Sequence, residues 1–181
     1  MNLIIHDFTN NNSKKIKKEY LCKNHDGNDI SPRITWKNID NVKSYALIFE
    51  DINVPSMPDG TYIHMYIPYI STDISEIKSL NHISNKLSNI CDINLSNLHE
   101  KIKSMKIFYG KNSTDCIGYK GPCNPDTTVH KYIFRLYALD GILDIDTTTI
   151  KINSSGNFLD ILKKKNINIL SEESVAYEYV K

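Results

Sequence analysis

Three side chains of this chain combine ligand-binding chemistry with a suitable local setting: Asp51, His64 and His130. Asp51 ends the apolar run YALIFED, and Asn53 and Pro55 follow it, so the run stops and turns there. His64 opens HMYI and His130 opens HKYIFRLYALD, both segments with strand character. Acid and imidazole groups at strand ends can converge on one pocket. A protonated imidazole donates two hydrogen bonds and carries charge near neutral pH, which suits a phosphate. A neighbouring carboxylate orients the ring and favours its cationic form. On pattern alone, a histidine beside an apolar strand is more often a hydrogen-bonded structural residue. The loop ahead of His130 therefore matters. Gly118, Gly121, Pro122 and Pro125 punctuate it; glycine lets a backbone approach a ligand closely, and proline fixes the path. Recognition of a small anion follows from this arrangement. A reaction does not.

The elements that must position these residues are mostly strands. Residues 3–5 form a short edge candidate, and 45–50 (YALIFE) and 64–67 (HMYI) read as buried strands. Residues 132–139 (YIFRLYAL) are apolar on nearly both faces, as in a sheet covered on both sides. Residues 176–180 (AYEYV) alternate and are placed to close the sheet. Leu95, Leu98, Ile102 and Met105 recur at helical spacing, with Asn94 or Ser96 available as cap. Phe158, Ile161 and Leu162 make a second helical stripe, and the lysines at 163–165 suit its C-terminal dipole. Residues 70–107 are polar and rich in Ser and Asn, and are expected as a surface excursion that carries the first helix. No repeat or linker divides the chain, so residues 1–181 are expected to form one domain.

Composition narrows the function classes. The formal net charge of +1 in 181 residues argues against a broad basic field for nucleic acid. The lysines of 14–18 read as a solvated loop. The four cysteines contain no CxxC pair, and the N-terminus has too short an apolar run for a secretory segment. They are expected to be reduced thiols in a cytoplasmic protein, with Cys116 and Cys123 buried or rim thiols rather than metal ligands. No stretch approaches the ~20 apolar residues of a membrane span. Asn112-Ser113-Thr114 matches a glycosylation sequon that has no meaning without secretion.

Four segments together resemble the phosphatidylethanolamine-binding protein family, which includes the Raf kinase inhibitor protein and bacterial relatives. They are GNDISPRITW at 27–36, DINVP at 51–55, YIHMYI at 62–67 and the long block at 110–140 ending HKYIFRLYALD. The tail NFLDILKKKNINIL…SVAYEYVK is similar to the ending of the shorter bacterial type. The resemblance implies a mainly β fold with a large central antiparallel sheet, a smaller packed sheet and peripheral helices. It also implies an anion pocket at Asp51, Pro55, His64, Gly121, Pro122, His130 and Tyr132, with Tyr62 as an aromatic wall. Asn53 stands where the family signature has a second acid, Ile52 replaces its first proline, and Asn124 replaces a loop proline. Met65 follows His64 where bacterial relatives often carry Trp.

The function expected is binding of small phosphate-bearing anions: a phospholipid headgroup such as phosphorylethanolamine, or a phosphorylated side chain. The resemblance adds a regulatory consequence for a protein kinase. Peripheral membrane contact is compatible with that ligand, and no cofactor is required. The alternatives are a protein-interaction scaffold acting through residues 70–107, and a hydrolase or metal-dependent enzyme using the same Asp/His cluster. Against an enzyme, the chain has no GxSxG, HExxH or phosphate-binding P-loop.

Overall fold

The computed structural model describes residues 1–10, 15–57, 59–79, 106–124, 126–146 and 148–180. The longest apolar runs form the middle of a five-stranded antiparallel sheet. Its strands are β3 (Ser44–Asp51), β4 (Tyr62–Ile70), β6 (Ile107–Phe108), β7 (His130–Leu139) and β8 (Ile169–Tyr179). They lie in the order β6-β4-β3-β7-β8. A three-stranded antiparallel sheet joins β1 (Ile4–His6), β2 (Arg33–Thr35) and β5 (Glu76–Ile77) in the order β1-β2-β5. The mainly β architecture and its two unequal sheets agree with expectation.

Alternation along β3 explains why its sequence is apolar throughout. Tyr45, Leu47 and Phe49 join a core shared with Ile5, Ile34 and Ile77 of the small sheet and with Leu3 and Trp36 beside its strands. Ala46 and Ile48 join a second core with Leu143, Ile150, Phe158 and Leu162. Both faces of the sheet are covered, so neither needs polar residues. Phe49 and Phe134 stack with centroids 3.9 Å apart, directly beneath the end of the sheet that carries Asp51 and His130.

The helix expected near residue 160 is α1 (Ser155–Lys164), capped by the Ser154 side chain accepting from the Asn157 N–H. Lys163 and Lys164 lie in its last turn, as the dipole argument requires. The helix expected around 95–105 lies outside the described residues. The start of the 70–107 segment is not purely a surface excursion: Ile77 is buried and pairs with Ile34 to complete the small sheet. Strand β8 is longer than its alternating end suggested, because Ser171, Glu172, Glu173 and Ser174 also pair with β7 at the border of the sheet.

Candidate functional site

Asp51 is the last residue of β3, on the same face as Tyr45, Leu47 and Phe49. Opposite it on the neighbouring strands stand Tyr62 and Tyr132. His130 and Tyr132 belong to the β7 set that continues through Phe134 and Leu136 into the first core. Strict alternation would not bring His64 to this face together with Met65. Phe49 pairs with Met65 and Glu50 with Ile63, so His64 is an extra residue in β4. This β-bulge re-aims the imidazole. His64 packs against Phe49, Tyr62 and Tyr132, while Met65 enters the core below.

These side chains line a cavity of about 320 Å³. Asp51, Tyr62, His64, His130 and Tyr132 all contribute to its lining. Pro55 does not: it lies exposed in a turn, and Val54, Ser56 and Met57 form that part of the wall. Gly121 and Pro122 also stand behind the wall rather than in it. A Cβ at Gly121 would come within 2.4 Å of the Tyr20 carbonyl oxygen, so glycine is needed there for loop docking. The Gly121 N–H donates to Asp29 Oδ1 at 2.8 Å. The Pro122 carbonyl accepts from the Cys22 N–H at 3.0 Å.

The polar geometry assigns each group a local task. Asp51 Oδ2 accepts from His130 Nδ1 at 2.5 Å, and Oδ1 accepts from the Asn53 N–H at 3.0 Å. The carboxylate is thereby committed to holding the histidine and closing the turn. His130 Nε2 lies 3.4 Å from Asp126 Oδ1 but makes no hydrogen bond. His64 Nδ1 donates to the Lys120 carbonyl at 2.8 Å, which leaves Nε2 for a ligand. Burial pushes the His64 pKa down to about 4, against the opposing pull of that hydrogen bond and of Asp51. The ring is therefore neutral at pH 7, with Nε2 an acceptor, contrary to the expectation of a donor. Burial, assisted by the negative charge of Asp29, pushes the Tyr62 hydroxyl up to about 12. Burial and the Asp51 charge likewise raise that of Tyr132.

Several contributors carried no legible signal in the sequence. Lys120 lines the cavity, and its ammonium reaches Asp29 Oδ2 at 3.2 Å. Asn24 lines it from the short 3-10 turn Lys23–His25. Asn124 is fully buried; its side chain accepts from the Tyr132 hydroxyl and donates to the Tyr179 carbonyl at 3.1 Å. The loss of a proline at that position is thus a gain of two hydrogen bonds. Asn53 donates to the Val129 carbonyl at 2.6 Å, so the residue replacing the second acid of the signature ties the two loops at the rim.

The cysteine reading is corrected. Cys22 and Cys123 form a disulfide with Cα atoms 5.4 Å apart, and Cys123 lines the cavity. Spacing could not reveal it, since the partners are 101 residues apart. The expectation of reduced thiols, drawn from the lack of a secretory segment, is overturned for these two cysteines. The sulfurs of a disulfide are not thiolates, so Cys22, His25 and Cys123 do not form a metal site despite their proximity. Among the described residues, no helix is long and apolar enough to cross a membrane.

Comparisons with known proteins follow the same lines. Residues 6–180 match the family model for phosphatidylethanolamine-binding protein. A UPF0098 protein from Methanothermobacter thermautotrophicus is 34% identical over 147 residues, covering 81% of each chain. A UPF0098 protein from Aquifex aeolicus is 31% identical over 130 residues, covering 71% of this chain and 63% of its own length. The crystal structure of a phosphatidylethanolamine-binding protein homolog, CT736 from Chlamydia trachomatis, superposes with a TM-score of 0.68. It shares 25% identity over 99% of this chain and 96% of that one.

Proposed function

The chain belongs to the phosphatidylethanolamine-binding protein family, and on that premise we propose that its cavity binds small phosphate-bearing anions without turning them over. The observation that carries this reading is the convergence of His64, His130 and Lys120 on one cavity of about 320 Å³. That volume suits a headgroup fragment or a phosphate with a short substituent. Lys120 supplies positive charge, and Tyr62 and Tyr132 supply an aromatic wall on which the Tyr62 hydroxyl can donate, that of Tyr132 being given to Asn124.

His64 sets the protonation state of the ligand. With Nδ1 given to Lys120, a neutral His64 offers Nε2 as an acceptor. A phosphomonoester whose second pKa is about 6 can present a P–OH to that nitrogen. Otherwise a proton must be taken up on binding to turn Nε2 into a donor. In both cases one proton is shared between phosphate and imidazole, so affinity falls as pH rises from about 6 to 8. Asp51, occupied by His130 and Asn53, orients and supports a histidine. The regulatory effect on a kinase implied by the resemblance would lie downstream of this anion-binding step.

Calorimetric titration with phosphorylethanolamine near pH 6, beside His64→Ala and His130→Ala, tests the proposal. Saturable binding that both variants lose is expected, with proton uptake visible as a dependence on the buffer's ionisation enthalpy. A folded wild-type protein that binds none of this ligand overturns the reading. Conversion of the ligand to inorganic phosphate during the titration would place the site among hydrolases instead.

A further inference from the structure

We infer that Lys120 is the specificity-determining residue of the cavity, a cation held in reserve by Asp29 and transferred to the phosphomonoester group of the incoming ligand. This rests on the anion-binding reading above. Lys120 is the one Lys or Arg among the residues that line the cavity in the described structure. The same lining holds a buried carboxylate, Asp51. Two imidazoles and an acid do not by themselves favour an anion over a neutral polar ligand; the ammonium decides the sign.

The geometry suits a transfer. The Lys120 ammonium meets Asp29 Oδ2 at 3.2 Å, longer than the roughly 2.7–2.9 Å of a tight charge-assisted bond. A third of the lysine side chain is exposed, against 6% for that of Asp29. The lysine is thus the partner that can swing. Asp29 keeps its other oxygen on the Gly121 N–H at 2.8 Å, so its position does not depend on the lysine. The backbone of Lys120 is fixed independently of its side chain: its N–H donates to the His64 carbonyl and its carbonyl accepts from His64 Nδ1. One residue therefore aims His64 through its main chain and charges the cavity through its side chain. His64 is neutral at pH 7 because burial lowers its pKa to about 4, which leaves the Lys120 charge without an equivalent on that wall.

Lys120→Met and Lys120→Arg separate charge from shape, because both keep the two backbone hydrogen bonds. Affinity is measured by calorimetry for phosphorylethanolamine and inorganic phosphate, with ethanolamine as control, at two ionic strengths. Lys120→Met should lose roughly ten- to a hundred-fold in affinity for both phosphate probes, the worth of a charge-assisted hydrogen bond. Its remaining binding should respond less to salt. Lys120→Arg should retain most of the affinity. Tighter binding of phosphorylethanolamine than of phosphate would assign the ligand to a headgroup, and equal binding to free phosphate; the methionine loss is expected in both. Wild-type binding that Lys120→Met preserves overturns this inference alone. So does an equal loss in the Met and Arg variants, which would reveal a role in shape. A wild-type protein that binds neither phosphate probe overturns it together with the reading beneath it.

Discussion

His64 and Lys120 are joined twice: the Lys120 N–H donates to the His64 carbonyl and the Lys120 carbonyl accepts from His64 Nδ1, each at 2.8 Å. A bulged residue normally loses its place in the ladder. Here the loop before β7 supplies the missing partners, and the imidazole is fixed in one tautomer with Nε2 directed away from that loop. The segment that looked like a ligand-binding loop in sequence acts first as the clamp on a histidine.

Burial of that imidazole has a consequence for stability. Burial lowers the His64 pKa from 6.5 to about 4. Between those values the unfolded chain binds a proton that the folded protein excludes. The contribution is fully present above about pH 6.5, falls as pH drops, and is lost near pH 4, a total of about 3 kcal/mol. His64→Asn should flatten this part of the curve, since it can still donate to the Lys120 carbonyl but does not titrate. Urea midpoints at pH 7 and pH 4.5 for both proteins measure it; equal pH dependence in the two would refute the assignment.

Glu50 offers a second test, on the opposite face of the sheet from Asp51. Its side chain is buried, with Oε1 2.7 Å from Arg135 Nε. Ser155 at the start of α1 donates its hydroxyl to Oε1 at 2.8 Å and its N–H to Oε2 at 3.0 Å. One carboxylate thus bonds β3, β7 and the helix N-terminus together. Glu50→Ala leaves Arg135 only its ion pair with Glu172 at 3.3 Å and orphans the Ser155 N–H, at an expected cost of about 2–3 kcal/mol. Replacing Glu50 and Arg135 together by Met should recover much of that loss. Chemical denaturation decides between this and a loss below about 1 kcal/mol, which would mean that solvent screens the pair.

Much of the fold was legible because the dominant signals are local. Two-sided apolar runs announced β3 and β7, and the stripe at Phe158 and Leu162 with lysines behind it announced α1. The meeting of Asp51 and His130 was legible too, since both sit at ends of antiparallel neighbours. What escaped depends on distance in the chain or on a one-residue offset. HMYI is apolar on both sides of its histidine, so no alternation could betray the bulge at His64. Lys120 looks like any loop lysine until Asp29, some ninety residues earlier, is placed beside it. Asn124 read as a defect in a proline motif because its two acceptor and donor partners, Tyr132 and Tyr179, lie on other strands. Short strands such as Arg33–Thr35 and Glu76–Ile77 exist only through pairing with each other and with Ile4–His6 and carry little signal of their own.

Cys22 and Cys123 close a loop with a sequence separation of 101 residues, and removing such a link costs about 2–5 kcal/mol, mainly by freeing the unfolded chain. The docked loops have other ties: the Cys22 N–H to the Pro122 carbonyl at 3.0 Å, the Tyr119 hydroxyl to the Tyr20 carbonyl at 2.8 Å, and Gly121 against the backbone of residues 20–22. The reduced protein should therefore stay folded, with a lower urea midpoint, and Cys123→Ser should reproduce that midpoint in the absence of reductant. Proteolytic mapping without reduction should recover the Cys22 and Cys123 peptides as one linked species. If both cysteines are instead alkylated freely in the native, unreduced protein, the cavity wall is built from thiols and the stability argument fails with it.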